Sequence, residues 1–430
     1  MSARVEGGWL LGRGVRALLR CDEAEVVAGI ARYVVSQHTS LRVGSALMER
    51  ARATPLPAAA ALLGGLTRFL EVRAGEGREG AVWVARLGNE RRALEALPRL
   101  LPEVGWTEWK FRRPPDAAAL RALAALRPSS VRRAFGLARR LHRRYEFFKV
   151  LRVLELLGYY ARYLALFRGG RFSLAVMSSH SNPHGIAFNL AARRCGVPVV
   201  LVTHGMPVRP VAQLSYDLAL VHCEAARRTY EEEGCRMCRV LVHGRRQDHA
   251  LMSDAPLPER LSVGLFLCKD VNEERMRGLV GRLLDDARVL GVLIRPHPKN
   301  LWRGLEEWVA SRREPRLSLS KGRPVFRDIA ASDLVLAGNS SVLAEALTAG
   351  RPAAYVRGID YGSYDLHAFV ARGLVYEYSD DRGLDPEAMQ RFYLRPDWPA
   401  SLRLFANVDE DEASVALRTS AALREIISRR

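Results

Sequence analysis

Cysteine is scarce in this chain, and its scarcity limits how the fold is held together. Six cysteines occur among 430 residues, which is too few for a disulfide scaffold and fits a reducing compartment. Cys235 and Cys238 have the C-x-x-C spacing of a metal or redox pair, but no second pair follows them in the sequence. We therefore expect incidental thiols, no metal site and no cofactor.

Long apolar runs are also missing. No stretch of the sequence reaches the roughly 20 uninterrupted apolar residues that span a bilayer. The first residues contain no continuous apolar segment and no small-residue cleavage site, so we expect no secretory signal. These two absences predict a cytoplasmic protein.

Acidic residues are under-represented. The chain has 66 Lys and Arg against 47 Asp and Glu, a formal net charge of +19. This charge favours partners that are negative, namely nucleic acid, anionic lipid or a phosphorylated small molecule. Zinc-finger spacing, an RNP-like aromatic strand and a KH-type loop are all missing from the sequence, so we do not expect nucleic acid as a partner.

Several catalytic signatures are missing as well. The sequence has no G-x-x-x-x-G-K-S/T loop, no H-E-x-x-H helix and no G-x-S-x-G elbow. Their absence argues against a nucleoside triphosphatase, a zincin and a serine hydrolase.

Residues 116–168 combine helical periodicity with strong basicity. Nine basic residues and a single acid, Glu146, lie between Arg127 and Arg152, interleaved with apolar and aromatic residues. One interpretation is a helix whose apolar stripe is core and whose charges are solvated. The other is attachment to an anionic membrane surface, which would make the protein peripheral on the inner face of the plasma membrane.

The sequence predicts an α/β fold. Short β-branched runs alternate with helical stretches, as expected for a mostly parallel sheet with crossover helices. These runs are 81–87, 106–111, 172–177, 197–203, 217–222, 239–244, 261–267, 291–295, 333–338 and 352–356. The Pro-rich stretch 253–260 is the best linker candidate.

We therefore expect two Rossmann-like domains that face a central cleft. The first domain is expected to span residues 1–250 and the second residues 258–400. Residues 401–430 are predicted to return to the first domain as an amphipathic helix, with apolar Val415, Leu417, Ala421, Leu423 and Ile426. Ligands bind at the carboxyl ends of strands in such sheets, so functional residues should follow strands.

One candidate site follows the strand that ends at Arg295. His297 lies between Pro296 and Pro298, which restrict the backbone, and Arg295 and Lys299 flank the turn with positive charge. This arrangement predicts an anion-binding histidine.

A second candidate follows the strand 333–338. Asn339, Ser340 and Ser341 precede a helix that contains Glu345. Serine at a helix start caps the first turn, and the N–H groups with two hydroxyls can bind a phosphate.

The order R-x-H-P and then S-S-x-x-x-E-x-L-x-x-G-x-P resembles the donor half of GT-B glycosyltransferases. More narrowly, it resembles bacterial cell-surface polysaccharide enzymes: sialyltransferases and polysialyltransferases, Kdo transferases of capsule assembly and CDP-glycerol glycerophosphotransferases. The resemblance covers about residues 170–380 and implies that His297, Ser340 and Ser341 contact the phosphate and nucleotide of a cytidine-activated donor. The D/E-D/E-G motif of sialyltransferases is not evident in this sequence.

The first half contributes a histidine turn. Thr203-His204-Gly205-Met206-Pro207-Val208-Arg209 is similar to the W-H-G-T-P-L-K turn of the CDP-glycerol transferases, with Thr for Trp and Arg for Lys. The resemblance implies that His204 is the general base for an acceptor hydroxyl. The alternative is a histidine that only binds phosphate or structures the turn.

Other polar residues are predicted near His204. Ser179, His180 and His184 follow the preceding strand, so the two histidines are rival bases or acceptor contacts. Gly205 and Arg209 are expected on the acceptor side.

These observations predict a metal-independent transferase that uses a nucleotide-activated sugar or CDP-polyol donor and a glycan or lipid-linked acceptor to build a bacterial surface polysaccharide. Arg295, Lys299 and helix N-termini would stabilise the leaving phosphate in place of a divalent cation. One alternative is a UDP-sugar transferase or epimerase on the same fold. A second alternative is a non-catalytic, basic scaffold or nucleic-acid-binding protein.

Overall fold

The structure is a computed structural model, and it describes most of the chain from residue 56 onward. The described residues are 56–73, 77–111, 136, 139, 147–180, 182–207, 211–243, 257–298, 302, 304–360, 365–381, 383–406 and 410–429. Within these helices, none is long and apolar enough to cross a membrane.

The described helices are α1 (Leu56–Glu71), α2 (Gly88–Leu94), α3 (Leu97–Leu100), α4 (Phe147–Arg168), α5 (Pro183–Arg194), α6 (Glu224–Glu232), α7 (Glu273–Asp285), α8 (Leu305–Ser311), α9 (Val325–Ala330), α10 (Val342–Thr348), α11 (Pro386–Tyr393), α12 (Trp398–Phe405) and α13 (Glu412–Ser428). The described strands are β1 (Val72–Arg73), β2 (Glu79–Val84), β3 (Trp106–Phe111), β4 (Arg171–Met177), β5 (Val199–Val202), β6 (Ser215–Tyr216), β7 (Leu218–Val221), β8 (Arg236–Met237), β9 (Val240–Val242), β10 (Leu261–Phe266), β11 (Val289–Arg295), β12 (Leu317–Leu319), β13 (Leu334–Ala337), β14 (Ala353–Val356) and β15 (Tyr376–Tyr378).

The chain divides into two compact units. The first takes the described residues within Met1–Val221, Arg227–His243 and Ala413–Arg430, and the second takes those within His222–Ala226 and Gly244–Glu412. The described residues 401–406 and 410–412, including the end of α12, therefore belong to the second unit, and the last helix from Ala413 onward belongs to the first.

The first unit is built on a seven-stranded sheet of order β1-β3-β2-β4-β5-β7-β9. Only the β1–β3 pairing in this sheet is antiparallel, and the remaining pairs are parallel. Parallel strands place their carboxyl ends on one edge of the sheet. The turns after β2, β4 and β5 therefore lie side by side at that edge.

One face of this sheet packs on a core that includes the C-terminal helix. Trp83, Leu174 and Val200 alternate with residues of the opposite face, as strand periodicity requires, and they join a buried cluster with Leu423 and Ile426 of α13. Polar contacts add to the packing: Arg424 pairs with Glu103 at 2.8 Å, Arg418 donates to the Val242 carbonyl at 2.9 Å, and Thr419 lies 3.1 Å from His243 Nδ1.

The opposite face carries an aromatic core. Trp109 of β3 is fully buried and packs on Tyr163 and Phe167 of α4, on Phe172 of β4 and on Phe188 of α5, with ring centroids 4.8–5.8 Å apart. Helices thus cover both faces of the sheet, which is the Rossmann-like arrangement.

The described part of the basic segment is mainly a core helix. In α4, Val150, Leu154 and Leu157 are buried, and Arg152 pairs with Glu155 at 3.0 Å. The bases from Arg127 to Arg144 lie outside the described residues, apart from Arg139, so the predicted membrane attachment rests mainly on residues that the structure does not describe.

The second unit has a six-stranded sheet of order β12-β11-β10-β13-β14-β15. All of its strand pairs are parallel. On α7, Met276, Leu279, Val280 and Leu283 are buried at the spacing of one helix face. The predicted α/β class with two Rossmann-like domains is confirmed by these two sheets.

Candidate active site

His204 lies at the carboxyl edge of the first unit's sheet, directly after β5. Its Nδ1 atom is 2.8 Å from the Ser178 hydroxyl, which follows the neighbouring strand β4. The ring keeps solvent-exposed surface, but the surrounding protein removes enough water to lower the pKa of His204, partly opposed by the negative charge of Glu90 and by a hydrogen bond to the Ser178 backbone. An exposed imidazole at this edge is therefore neutral at pH 7.

His180 is buried close to His204. Its ring is 8% exposed, its Nδ1 atom lies 2.8 Å from the Tyr230 hydroxyl, and the two rings meet edge to face. Burial, with a smaller contribution from His204, lowers the pKa of His180 to about 3. The ring is thus held neutral and enclosed, which fits positioning of the turn better than proton transfer to an acceptor.

His184 stands at the start of α5 and is 1% exposed. Its Nε2 atom lies 3.5 Å from Glu90 Oε2, and its ring is bordered edge-on by Phe111 and Tyr159. Neither predicted rival, His180 nor His184, is exposed as His204 is. Of the three predicted histidines, His204 alone presents its ring to solvent.

Glu90 is a residue of this site that the sequence analysis missed. It lies in the turn-and-helix segment after β2, is fully buried, and accepts the backbone N–H groups of Arg86 and Leu87 at 2.7 and 3.1 Å. These hydrogen bonds and His184 hold the pKa of Glu90 down at about 2 despite burial, which alone would raise it. A Glu three residues into a helix is a common capping pattern, so nothing in the local sequence indicates that this carboxylate lies beside the histidines.

The turn after β4 is tightly packed. A Cβ atom at position 185 would lie 1.7 Å from the Ser179 carbonyl oxygen, so only glycine fits there. Ser179 is 3% exposed and its hydroxyl accepts from the Asn182 amide at 3.0 Å. Ser179 therefore holds the turn. Gly205 is half-buried next to His204, and Arg209 lies outside the described residues.

Arg295 and His297 in the second unit border a cavity of about 420 Å³. Its lining comes from the ends of β11 and β12 and the start of α8: Arg295, Pro296, His297, Pro298, Trp302, Leu305, Glu306, Leu319, Ser320 and Gly322. His297 is exposed on the cavity side of the turn. Lys299, predicted as the second cation of this turn, lies outside the described residues.

The charge of Arg295 is partly neutralised within its own unit. The guanidinium pairs with Asp328, which is fully buried, and Asp328 also accepts from the Ser320 hydroxyl at 2.5 Å. Asp328 therefore fixes the guanidinium at the cavity wall and reduces the net positive charge predicted from Arg295 and Lys299.

Asn339 follows β13 and is engaged with the loop after β14. Its backbone N–H and side-chain amide donate to the Asp360 carboxylate at 2.7 and 3.0 Å, and its Oδ1 atom accepts from the Leu366 N–H at 2.8 Å. A Cβ at position 338 would lie 2.3 Å from Asp360 Oδ2, so Gly338 permits this approach. Asn339, predicted to contact the donor, uses its amide to hold the loop.

Ser340, Ser341 and Glu345 lie at the start of α10. The Ser341 hydroxyl donates to Glu345 at 3.0 Å, and the Ser340 hydroxyl lies 3.4 Å from the Val342 N–H. Ser341 is the residue before the helix, but its side chain makes no capping hydrogen bond. The hydroxyl of Ser340 is thus only weakly engaged.

No group of three or more His, Cys, Asp or Glu side chains within the described ranges could hold a metal ion. Cys235 and Cys238 do not form a disulfide.

No family model and no curated protein matches this chain. Among solved structures, a UDP-N-acetylglucosamine 2-epimerase aligns at 14% identity over 82% of this chain and 97% of its own, with a TM-score of 0.45. The calicheamicin glycosyltransferase CalG4 aligns at 14% identity over 82% and 99%, with a TM-score of 0.48. MurG from Acinetobacter baumannii aligns at 12% identity over 81% and 99%, with a TM-score of 0.38.

Proposed function

We propose that this chain is a GT-B-type, metal-independent transferase that moves a sugar or polyol phosphate from a cytidine-activated donor to a hydroxyl of a bacterial surface-glycan acceptor. The observation that carries the proposal is His204: an exposed, neutral imidazole at the carboxyl edge of a parallel sheet, anchored through one ring nitrogen. The order of the histidine and serine motifs along the chain supports the donor assignment.

The anchoring of His204 sets which nitrogen acts as the base. A hydrogen bond to the Ser178 backbone raises the pKa of His204. This direction indicates that the backbone of Ser178 accepts the hydrogen bond from the ring and so favours the protonated imidazole. With Nδ1–H donating towards Ser178, the Nε2 lone pair takes the proton of the acceptor hydroxyl. The acceptor oxygen bonds to the transferred group as that group's bond to the departing phosphate breaks, and the nucleotide leaves with the electron pair.

The second unit supplies the donor site in this proposal. The cavity at the end of β11 has the size of a small-molecule site, and His297 and Arg295 offer N–H donors at its wall to the leaving phosphate. Ser340 and Ser341 contribute hydroxyls, Lys299 adds positive charge, and Glu345 orients Ser341. Asn339 shapes the neighbouring loop through Asp360.

On the acceptor side, Gly205 borders the proposed path of the incoming hydroxyl to His204, and Arg209, five residues after His204 in the sequence, is assigned to the acceptor on its charge alone. Ser179, whose hydroxyl and carbonyl are both packed within the turn, supports the turn instead of touching the acceptor. His180 and His184 act in the same way from behind it.

A nucleotide panel tests this function. The melting temperature of the purified protein is measured with CMP, CDP, UDP and GDP. We expect CMP or CDP to raise the melting temperature, because a ligand that binds only the folded state stabilises that state. Stabilisation by UDP only would assign the protein to the UDP-sugar transferases or epimerases. No response to any nucleotide, together with salt-dependent binding to nucleic acid, would indicate the non-catalytic scaffold.

A further inference from the structure

A buried carboxylate lies behind the edge of the sheet that carries His204. Glu90 is fully buried, and although its Oε2 atom is satisfied by two backbone N–H groups, its Oε1 atom has no hydrogen-bond partner among the described residues. Burying a charged oxygen without a partner is costly, and such groups are usually retained for a reason beyond packing.

The topology brings Glu90 to the histidines. Strand β2 lies next to β4 with Val84 opposite Met177, and β4 lies next to β5 with Met177 opposite Leu201. The turn that Glu90 holds after β2 is therefore adjacent to the Ser178 turn, which in turn contacts His204. Neighbouring strands are about 4.8 Å apart and β4 alone separates β2 from β5, so the negative charge of Glu90 reaches His204 across one intervening strand.

His184 links Glu90 to the turn after β4. Its Nε2 atom lies 3.5 Å from the Glu90 carboxylate, and both ring nitrogens lack a hydrogen-bond partner in the described structure. Because Gly185 lets α5 press against the Ser179 carbonyl, this pair is fixed against the turn. Several groups from other elements interact with Glu90, either through its charge or through hydrogen bonds. These groups are Arg86, Tyr163, His180, His184 and His204.

We propose that Glu90 is the buried counter-charge of this site, stabilising the imidazolium that His204 becomes when it takes the acceptor proton. Glu90 is a positioning residue, since it acts through His204 and is too deeply buried to touch substrate. The inference rests on the proposed role of His204 as base. Its effect is electrostatic: the carboxylate is fixed and fully buried, and a fixed charge away from water acts more strongly than the same charge in solution.

The test is a pH titration of His204 in the intact protein without substrate. The protein has 10 histidines, so ¹³Cε1-labelled histidine gives a small set of NMR signals, and His204→Gln identifies the one of interest. Glu90→Gln keeps an acceptor for the Arg86 and Leu87 N–H groups but removes the charge. We expect the His204 midpoint to fall by about half a pH unit or more.

Three further variants make the result specific. Glu90→Asp keeps the charge and should retain most of the wild-type midpoint. Glu108→Gln is the matched control, because Glu108 is a carboxylate of the same sheet that is paired with Arg91 at 3.0 Å and is not among the groups that shift the pKa of His204. If Glu90→Gln does not fold, Glu90→Met suits the apolar surroundings and should give the same downward shift.

An unchanged His204 midpoint in the uncharged Glu90 variants, or an equal shift in Glu108→Gln, would overturn the inference. This failure is distinguishable from failure of the proposed function. The titration needs no donor or acceptor, whereas the proposed function fails if His204→Ala retains turnover, whatever Glu90 does to the titration.

Discussion

At the scale of single residues, burial places histidines of the same motif region in different environments. His180 and His184 are enclosed, whereas His204 keeps exposed surface. The sequence places all three after strands and therefore cannot rank them. The histidines are distinguished by their contacts with segments that are distant in the sequence. The Tyr230 hydroxyl contacts His180, and Glu90 lies beside His184, and the local sequence does not reveal either contact.

The buried His180 predicts an acid-labile fold. The pKa of His180 is about 3 in the folded protein against 6.5 for an ordinary histidine. Between these pH values the unfolded chain binds more protons than the folded protein, so the free energy of unfolding decreases as the pH is lowered. By pH 5 this contributes a loss of about 2 kcal/mol in the free energy of unfolding. Glu90, with a pKa of about 2, adds its own loss only as the pH falls below about 4.5.

Urea unfolding of the wild type and of His180→Gln between pH 7.5 and pH 4.5 measures this effect. The variant should be less stable at pH 7.5 but should lose less stability on acidification. Parallel pH dependence of the two proteins would assign acid lability to other groups.

Two described residues other than glycine have positive φ angles, and replacing them with glycine should stabilise the folded protein. Ala368 and Arg313 have φ angles of 56° and 48°, in the left-handed region where a Cβ atom is unfavourable. Ala368→Gly and Arg313→Gly should each raise the free energy of unfolding by about 0.5–1 kcal/mol, the lost strain exceeding the extra entropy of the unfolded glycine. Denaturant unfolding checks this, and Ala371→Gly, which lacks a positive φ, should destabilise.

At the scale of elements, each of the ten predicted runs overlaps a strand of the structure, because most of these strands are short buried runs between turn residues. The strands β1, β6, β8, β12 and β15, which are only two or three residues long, do not follow from the sequence. The C-terminal helix follows it less closely. Val415, Leu423 and Ile426 are buried as predicted, but Leu417 is 72% exposed and Ala421 is exposed as well. A helical period of 3.6 residues places Thr419 and Ala422 on the same buried face as Val415, Leu423 and Ile426. Choosing residues by hydrophobicity alone therefore included Leu417 and Ala421 wrongly.

The contact between α5 and the end of β4 predicts a packing defect. Gly185→Ala places a Cβ against the Ser179 carbonyl, which must shift the helix or the turn and should cost about 1–3 kcal/mol. The shift should also broaden or move the His204 titration, since Ser178 is in the same turn. Gly281→Ala is the control: it is a helical glycine with open space around it and should stabilise by up to about 1 kcal/mol.

At the scale of the whole molecule, the sequence predicts both sheets and the strand-end location of the site. The sequence could not predict the contacts between residues that are far apart in the chain. Asp328 forms an ion pair with Arg295, and the carboxylate of Asp360 accepts a hydrogen bond from the side-chain amide of Asn339. Asp328 fixes the guanidinium that Arg295 offers at the cavity wall, and Asp360 engages the amide of Asn339 in support of a loop.

The net charge of +19 makes attachment to an anionic membrane surface a prediction for the whole molecule. Each base near such a surface contributes about 1 kcal/mol, so several of the bases from Arg127 to Arg152 would suffice for reversible binding. Co-sedimentation with anionic vesicles should be strong at low salt and weak at high salt. No binding at low salt, or binding indifferent to salt, would contradict attachment by charge.

The most direct test of the central claim compares His204→Ala with His297→Ala. Nucleotide binding is measured by calorimetry with whichever nucleotide stabilises the protein, and turnover by release of that nucleotide from its activated donor in the presence of acceptor. We expect His204→Ala to bind the nucleotide normally and lose turnover by 10²-fold or more, the usual range for a lost general base being about 10²–10⁴, and His297→Ala to lose binding. Full turnover in His204→Ala, or the reverse pattern between the two variants, would contradict the assignment of base and donor site.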